Sequence, residues 1–230
     1  MILKKDPILL NTEFGEYYYA NGNIFPRVTS VFHGFQPCRK SNWTPDAATL
    51  GTMLHYLILS QYKDQYRPET HIWKVEQDDV YEIRRSALCM WRKIRDGIKV
   101  LEVELPVCHY YPNYAGRLDM ICEMDEELYV GDIKTGNWYD YYDMQLSAYY
   151  QAAKRASVLQ GRKIKGVAFF RLDINLERNP EQVPAIVVRT LDELIEPLKG
   201  FNLQALEFNE HLNRYIAAHN IDIAKLAEEC

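Results

Sequence analysis

Two stretches decide the fold: Ala115-Gly116-Arg117-Leu118-Asp119-Met120-Ile121-Cys122-Glu123 and, after a short acidic break, Leu128-Tyr129-Val130-Gly131-Asp132-Ile133-Lys134. Both have strand composition, and Asp125-Glu126 between them supplies a turn. Folded as a hairpin, they set Asp119 directly across from Asp132. Working outward, Val100–Cys108 forms a third strand that turns at Tyr111-Pro112 and brings Glu104 opposite the same Asp119. A one-residue bulge would undo this register. Alternation sends Leu101, Val103, Leu105, Val107, Leu118, Met120, Cys122, Tyr129 and Ile133 to one continuous apolar face. Glu102, Glu104, Arg117, Asp119, Asp132 and Lys134 take the other.

Directly opposed residues have Cα atoms ~4.5–5.5 Å apart, so three carboxylates in a row should repel. Arg117 and Lys134 offer one compensation, an ordinary surface salt-bridge network. A divalent cation offers another, because hard cations gather several carboxylate oxygens at one point. Lys134 lies on the face of Asp132, two residues on. Its ammonium can reach a metal-held water and stabilise the charge that develops on nucleophile or phosphate.

The rest of the chain is mixed α/β. Glu16–Phe25 alternates aromatics around Asn21-Gly22, a hairpin pattern. A helix starts with Thr44 as N-cap and Pro45 in its first turn, and Ala47, Leu50, Leu54, Leu57 and Ile58 form its stripe. A second, polar and surface-lying helix is expected over Asp78–Gly97, and a third over Tyr141–Leu159. Strands follow near Val167–Leu172 and Pro184–Arg189, then a helical C-terminal third. The expected architecture is a central sheet flanked by helices.

Composition narrows the function classes. With 230 residues, 47% hydrophobic and 26% charged, the balance is that of an ordinary globular chain with one sizeable core. No apolar run approaches the ~18 residues of a membrane span. The start, Met1-Ile2-Leu3-Lys4-Lys5-Asp6, lacks a signal or transit pattern, so a cytoplasmic location is expected, bacterial or that of a phage-infected host. Five cysteines without a C-x-x-C pair argue against disulfides, structural zinc and an iron–sulfur cluster. A net charge of −5 speaks against nucleic acid at first sight, but carboxylates committed to metal ions make the sum a poor guide. Lys154, Arg155, Arg162, Lys163 and Lys165 form one basic cluster, and Arg39 with Lys40 another; each reads as solvated surface or as a phosphate track.

Ala115-Gly116-Arg117-Leu118-Asp119, Gly131-Asp132-Ile133-Lys134-Thr135, and Gln145 with Tyr149 on the next helix resemble the PD-(D/E)XK nuclease superfamily, in particular its RecB-like branch. Gly51-Thr52-Met53-Leu54-His55 matches the upstream Gly-x-x-x-His of that branch. Glu104–Asp119, with Val107, His109 and Tyr114, is similar to exonucleases of the mitochondrial genome-maintenance and phage types. So is Tyr17-Tyr18-Tyr19…Phe25-Pro26-Arg27-Val28-Thr29-Ser30-Val31. The likeness covers roughly residues 16–155. Leu118 stands where the superfamily name has proline, a substitution usual in this branch. The four-cysteine cluster motif and the ATPase signature G-x-x-x-x-G-K-[ST] are both missing.

The resemblance implies a restriction-endonuclease-like core in a single nuclease domain: N-terminal hairpin and helices (1–98), catalytic sheet and helix (99–160), C-terminal strands and helices (161–230). It implies Mg²⁺ or Mn²⁺, one or two ions, bound by His55, Asp119, Asp132 and the Ile133 carbonyl. Glu104 would serve the first or a second ion. Lys134 would assist the attacking water, and Gln145 and Tyr149 would orient substrate or Lys134. The implied partner is DNA with single-stranded or free ends, alongside recombination or replication proteins, with no membrane. The implied activity is exonucleolytic, in recombination, repair or phage DNA processing; a structure- or sequence-specific endonuclease or a non-catalytic DNA-binding relative are the alternatives. His109 reads as structural and Glu102 as a rim residue. Trp138, Tyr139, Tyr141 and Tyr142 could stack on unpaired bases or pack the loop onto the body.

Overall fold

The Asn21-Gly22 turn forms as its composition demands. β1 (Ile8–Thr12) and β3 (Asn23–Pro26) flank β2 (Gly15–Ala20) in an antiparallel three-stranded sheet. Asn21 and Gly22 have φ of 49° and 79°, the positive values of a type I′ hairpin turn. The sequence reading does not foresee β1. The computed structural model describes residues 7–12, 14–35, 45–62, 79–154, 156–175 and 179–228, with backbone alone at 45–50 and 79–81. Thr44, Arg39, Lys40 and Arg155 lie outside the described residues.

The second sheet runs β4 (Lys99–Tyr110), β5 (Asn113–Met124), β6 (Glu127–Lys134), β7 (Ile164–Arg171) and β8 (Ala185–Thr190), in that order. Neighbours are antiparallel except β6 and β7, which are parallel. Parallel neighbours need a crossover. Here it is a helix, Tyr141–Ala153, with a 3-10 turn at Ser157–Leu159 where the sequence suggests one continuous helix. In chain order the helices are α1 (Val28–Val31), α2 (Pro45–Leu59), α3 (Asp79–Ile94), the crossover α4, α5 (Ile195–Ala218) and α6 (Ile223–Glu228). This is the α/β architecture expected, a five-stranded mixed sheet between helices.

Both faces of that sheet are apolar, which corrects the single buried face inferred from alternation. On one side Leu118, Ile121, Val130 and Phe169 pack with Leu146 and Tyr149 of α4 and Phe201 and Phe208 of α5. On the other, Val103, Met120, Cys122, Ile133 and Phe170 pack with Ile58 of α2 and Met90 and Trp91 of α3. α3 therefore buries one face rather than lying on the surface, as Ala87, Met90 and Trp91 at helical spacing allow.

Leu105 and Leu118 belong to the α4 side, whereas Val103 and Met120 belong to the α2 side, although Leu105 is only two residues from Val103 and Leu118 only two from Met120. The alternation reverses phase at Glu104 and Asp119. The expected register holds on both flanks, with Val103 facing Met120 and Leu105 facing Leu118, but Glu104 and Asp119 drop out of the ladder between them. Glu104 has φ 52°, a left-handed conformation that costs a non-glycine residue about 1 kcal/mol and recurs at functional sites. A bulge between Val100 and Glu102 shifts the start of β4.

Candidate active site

Asp119 lies where both neighbouring ladders break. The β5–β6 ladder ends at Met120 opposite Gly131, and the Ile133 N–H donates instead to Asp119 Oδ2 at 2.7 Å. The carboxylate thus substitutes for a backbone acceptor and is buried by doing so. α2 brings His55 to the same oxygen, with Nδ1 at 3.3 Å. Burial pulls the His55 imidazole down, but Asp119 outweighs it and holds the ring protonated, with a pKa of about 9. Burial likewise raises Asp119, and His55, Lys134 and the Ile133 N–H together bring it below the usual carboxylate range.

Asp132, two residues before the end of β6, is equally buried but less well compensated. Its pKa rises to about 6, first through burial, with Lys134 opposing and Asp119 adding to the rise. Lys134 Nζ sits 2.6 Å from Asp132 Oδ2. That oxygen is shielded from solvent and has the Lys134 ammonium as its close ion-pair partner. The ammonium donates to Gln145 Oε1 at 3.1 Å and lies 4.2 Å from the Tyr142 ring centroid, a cation–π interaction that sequence reasoning missed.

α4 supplies the far wall. Gln145 and Tyr149 are four apart and both buried on its sheet-facing side. Gln145 hydrogen-bonds Tyr149, whose hydroxyl pKa is raised first by burial and then by Asp132, Tyr18 and Asp119. Gly116 makes room for this ring: a Cβ there would lie 2.6 Å from Tyr149 Cε1.

The structure therefore gathers His55, Asp119, Asp132, Ile133, Lys134, Gln145 and Tyr149 around one point. Glu104 is placed differently, with Oε2 3.9 Å from Arg117 Nε. Glu102 accepts from the Val103 N–H at 3.2 Å. His109 stacks on Tyr114 with ring centroids 5.0 Å apart, its Nδ1 3.2 Å from the Pro112 carbonyl oxygen. Of the four aromatics, Trp138 and Tyr142 pack against Phe169, while Tyr139 is exposed and stacked on Tyr141 at 5.4 Å. In the basic cluster Arg162 pairs with Glu123 and Lys165 with Glu127, while Lys154 lies over the Tyr150 ring.

Among the described residues no group of three or more His, Cys, Asp or Glu is spaced to hold a metal ion. The protonated His55 and Lys134 neutralise the two buried carboxylates, and Glu104 turns to Arg117. The donor chemistry nonetheless fits a hard cation: two buried carboxylates beside an imidazole that becomes a donor once it gives up its proton.

Residues 34–227 match the family model of the PD-(D/E)XK nuclease superfamily, and the chain belongs to that superfamily. Membership implies a metal-dependent nuclease acting on DNA, of a class that generally uses Mg²⁺ or Mn²⁺, and the mixed sheet between helices agrees with its restriction-endonuclease-like fold. No curated protein matches the chain. No helix among the described residues is long and apolar enough to cross a membrane.

Proposed function

We propose that this chain is a Mg²⁺- or Mn²⁺-dependent DNA exonuclease of the RecB-like type, one nuclease domain that hydrolyses phosphodiester bonds and prefers single-stranded ends. The observation that supports it most is Lys134, held between Asp132 at 2.6 Å and Gln145 at 3.1 Å in the same buried cluster as Asp119 and His55.

In this reading Asp119, Asp132, the Ile133 carbonyl and His55, which would release its proton to solvent on binding, would hold one ion, and Glu104 would serve that ion or a second. An ion held there would supply Lewis-acid chemistry to a phosphoryl oxygen and would lower the pKa of a water. Lys134 places a fixed positive charge where negative charge develops on nucleophile or phosphate. Gln145 holds the amine in place from α4, and Tyr149 holds Gln145. The exposed Tyr139 at the β6–α4 loop offers a ring to an unpaired base. Among the described residues no base-reading module such as a helix-turn-helix or zinc finger is recognisable, which favours an end-dependent enzyme over a sequence-specific one. Recombination, repair or phage DNA processing, with replication or recombination proteins as partners, suits that activity.

The test compares linear and circular single strands of identical sequence with Mn²⁺ or Mg²⁺ and an EDTA control. Metal-dependent loss of the linear form alone is expected. Rapid cleavage of the circle would make the enzyme an endonuclease, and inertness towards both with either metal would remove the nuclease reading.

A further inference from the structure

Arg171 ends β7, and the parallel register sets it beside Lys134 of β6. Registered residues on neighbouring strands are about 4.8 Å apart and share a face, so Arg171 starts next to the proposed catalytic lysine. Its guanidinium lies over the Trp138 indole, 5.8 Å from the ring centroid. Trp138 is itself fixed against Tyr142 and Phe169, at 5.5 and 5.0 Å. The fork is therefore held in place by stacking rather than by hydrogen bonds. Nε is shielded from solvent and makes none, and Asp173, the carboxylate paired with the guanidinium, is 3.8 Å away. At that distance the ion pair is weak. The side chain remains 38% exposed.

A guanidinium kept for structure would satisfy its N–H groups within the protein. Two cations side by side on one sheet face also repel, and an anion between or beyond them relieves the repulsion. The oxygens of a phosphodiester match the planar fork of an arginine. We propose that Arg171 binds a phosphate of the nucleic-acid strand next to the scissile one, so that the site selects a polynucleotide over an isolated phosphodiester. This rests on the nuclease reading above and adds a substrate-binding residue to it.

The test uses the full chain with Arg171→Ala, Arg171→Gln and Arg171→Lys. Each is assayed with Mn²⁺ on a single-stranded oligonucleotide and on bis(p-nitrophenyl) phosphate, a diester with no neighbouring phosphate. For Ala and Gln we expect KM for the oligonucleotide to rise about tenfold with kcat nearly unchanged. The slope of log affinity against log salt should become shallower by about 0.7, the share of one neutralised phosphate on a single strand. Turnover of the small diester should stay at the wild-type level, and Lys should restore the salt slope. An unchanged salt slope in Ala and Gln would overturn the proposal, as would parallel loss of both activities, which marks a structural role. If the wild type cleaves neither substrate the nuclease reading fails. Oligonucleotide binding by fluorescence anisotropy then still decides Arg171: weaker binding by Ala but not Lys supports it, and equal binding overturns it.

Discussion

Asp119 and Asp132 are chemically alike, yet neutralising them should move metal-free stability in opposite directions. Asp132 is held ionised against burial, its pKa lifted from 3.8 to about 6. At about 1.4 kcal/mol per pKa unit, this corresponds to roughly 3 kcal/mol at neutral pH, which its coupling to Lys134 and Asp119 reduces to about 1–2. Asp132→Asn removes that cost and keeps the volume. Lys134 retains Gln145 and the Tyr142 ring. Asp119 is the reverse case, with its pKa lowered and its Oδ2 serving both Ile133 and His55. Asp119→Asn exchanges a charge-assisted bond for a neutral one and leaves His55 to lose its proton, a cost of about 1–3 kcal/mol. For a chain of this size each kcal/mol shifts Tm by about 2–4 °C. Melts followed by circular dichroism in EDTA at pH 7.5 should therefore show Asp132→Asn about 2–8 °C above wild type and Asp119→Asn below it. A carboxyl whose folded pKa is raised destabilises most when ionised. The Asp132→Asn advantage should thus be full above about pH 6 and shrink as pH falls from about 6 towards 4. Shifts of the same sign in both variants, or an advantage that persists at pH 4, would refute the division of labour between the two acids.

Lys134→Ala should lower kcat by about 10²–10³ while the Mn²⁺-dependent rise in Tm survives, since oxyanion-type stabilisers act on the transition state; near-normal turnover by the folded variant would remove Lys134 from the mechanism. Gly116→Ala forces a Cβ to 2.6 Å from the Tyr149 ring, so it should cost about 1–3 kcal/mol in urea unfolding and reduce activity. The loss should be far from additive with Tyr149→Ala, and simple additivity would show that the ring does not feel position 116. Asn209 Nδ2 donates to the Asn113 carbonyl at 2.7 Å and the Ala205 carbonyl at 2.6 Å, tying α5 to β5. Asn209→Ala should destabilise by about 1–2 kcal/mol with kcat unchanged; a loss of turnover at full stability would contradict a purely structural tie.

The meander is legible in the sequence because its information is local. Alternating residues in Ala115–Glu123 and Leu128–Lys134, with Asp125-Glu126 between, define strands and turn without knowledge of anything else. The same locality explains what the sequence hides. The parallel pairing of β6 with β7 depends on a helix crossing between them, and no turn residue encodes which strand the chain will join. Arg171 as a neighbour of Lys134 is therefore invisible at that level. The two-sided apolar packing is obscured because alternation carried through Glu104 ignores the left-handed residue that reverses the phase. His55 and Gln145 stand out only through the family pattern, since a lone histidine or glutamine on a helix has no periodic signature. Their approach to Asp119 and Lys134 comes from how α2 and α4 dock on opposite faces.

The bond from the Ile133 amide to Asp119 makes the acid part of the scaffold as well as part of the proposed site. Whatever pulls electron density from that carboxylate, whether a proton, an ion or an amide substitution, also weakens the acceptor that closes the end of the β5–β6 hairpin. Occupancy of the site is thereby written into the exchange rate and chemical shift of a single backbone amide. It follows that descendants of this fold could not discard the acid as freely as a surface residue. A lineage that gave up cleavage would still have to mend the hairpin, which is a reason for Asp119 to outlast the activity proposed for it.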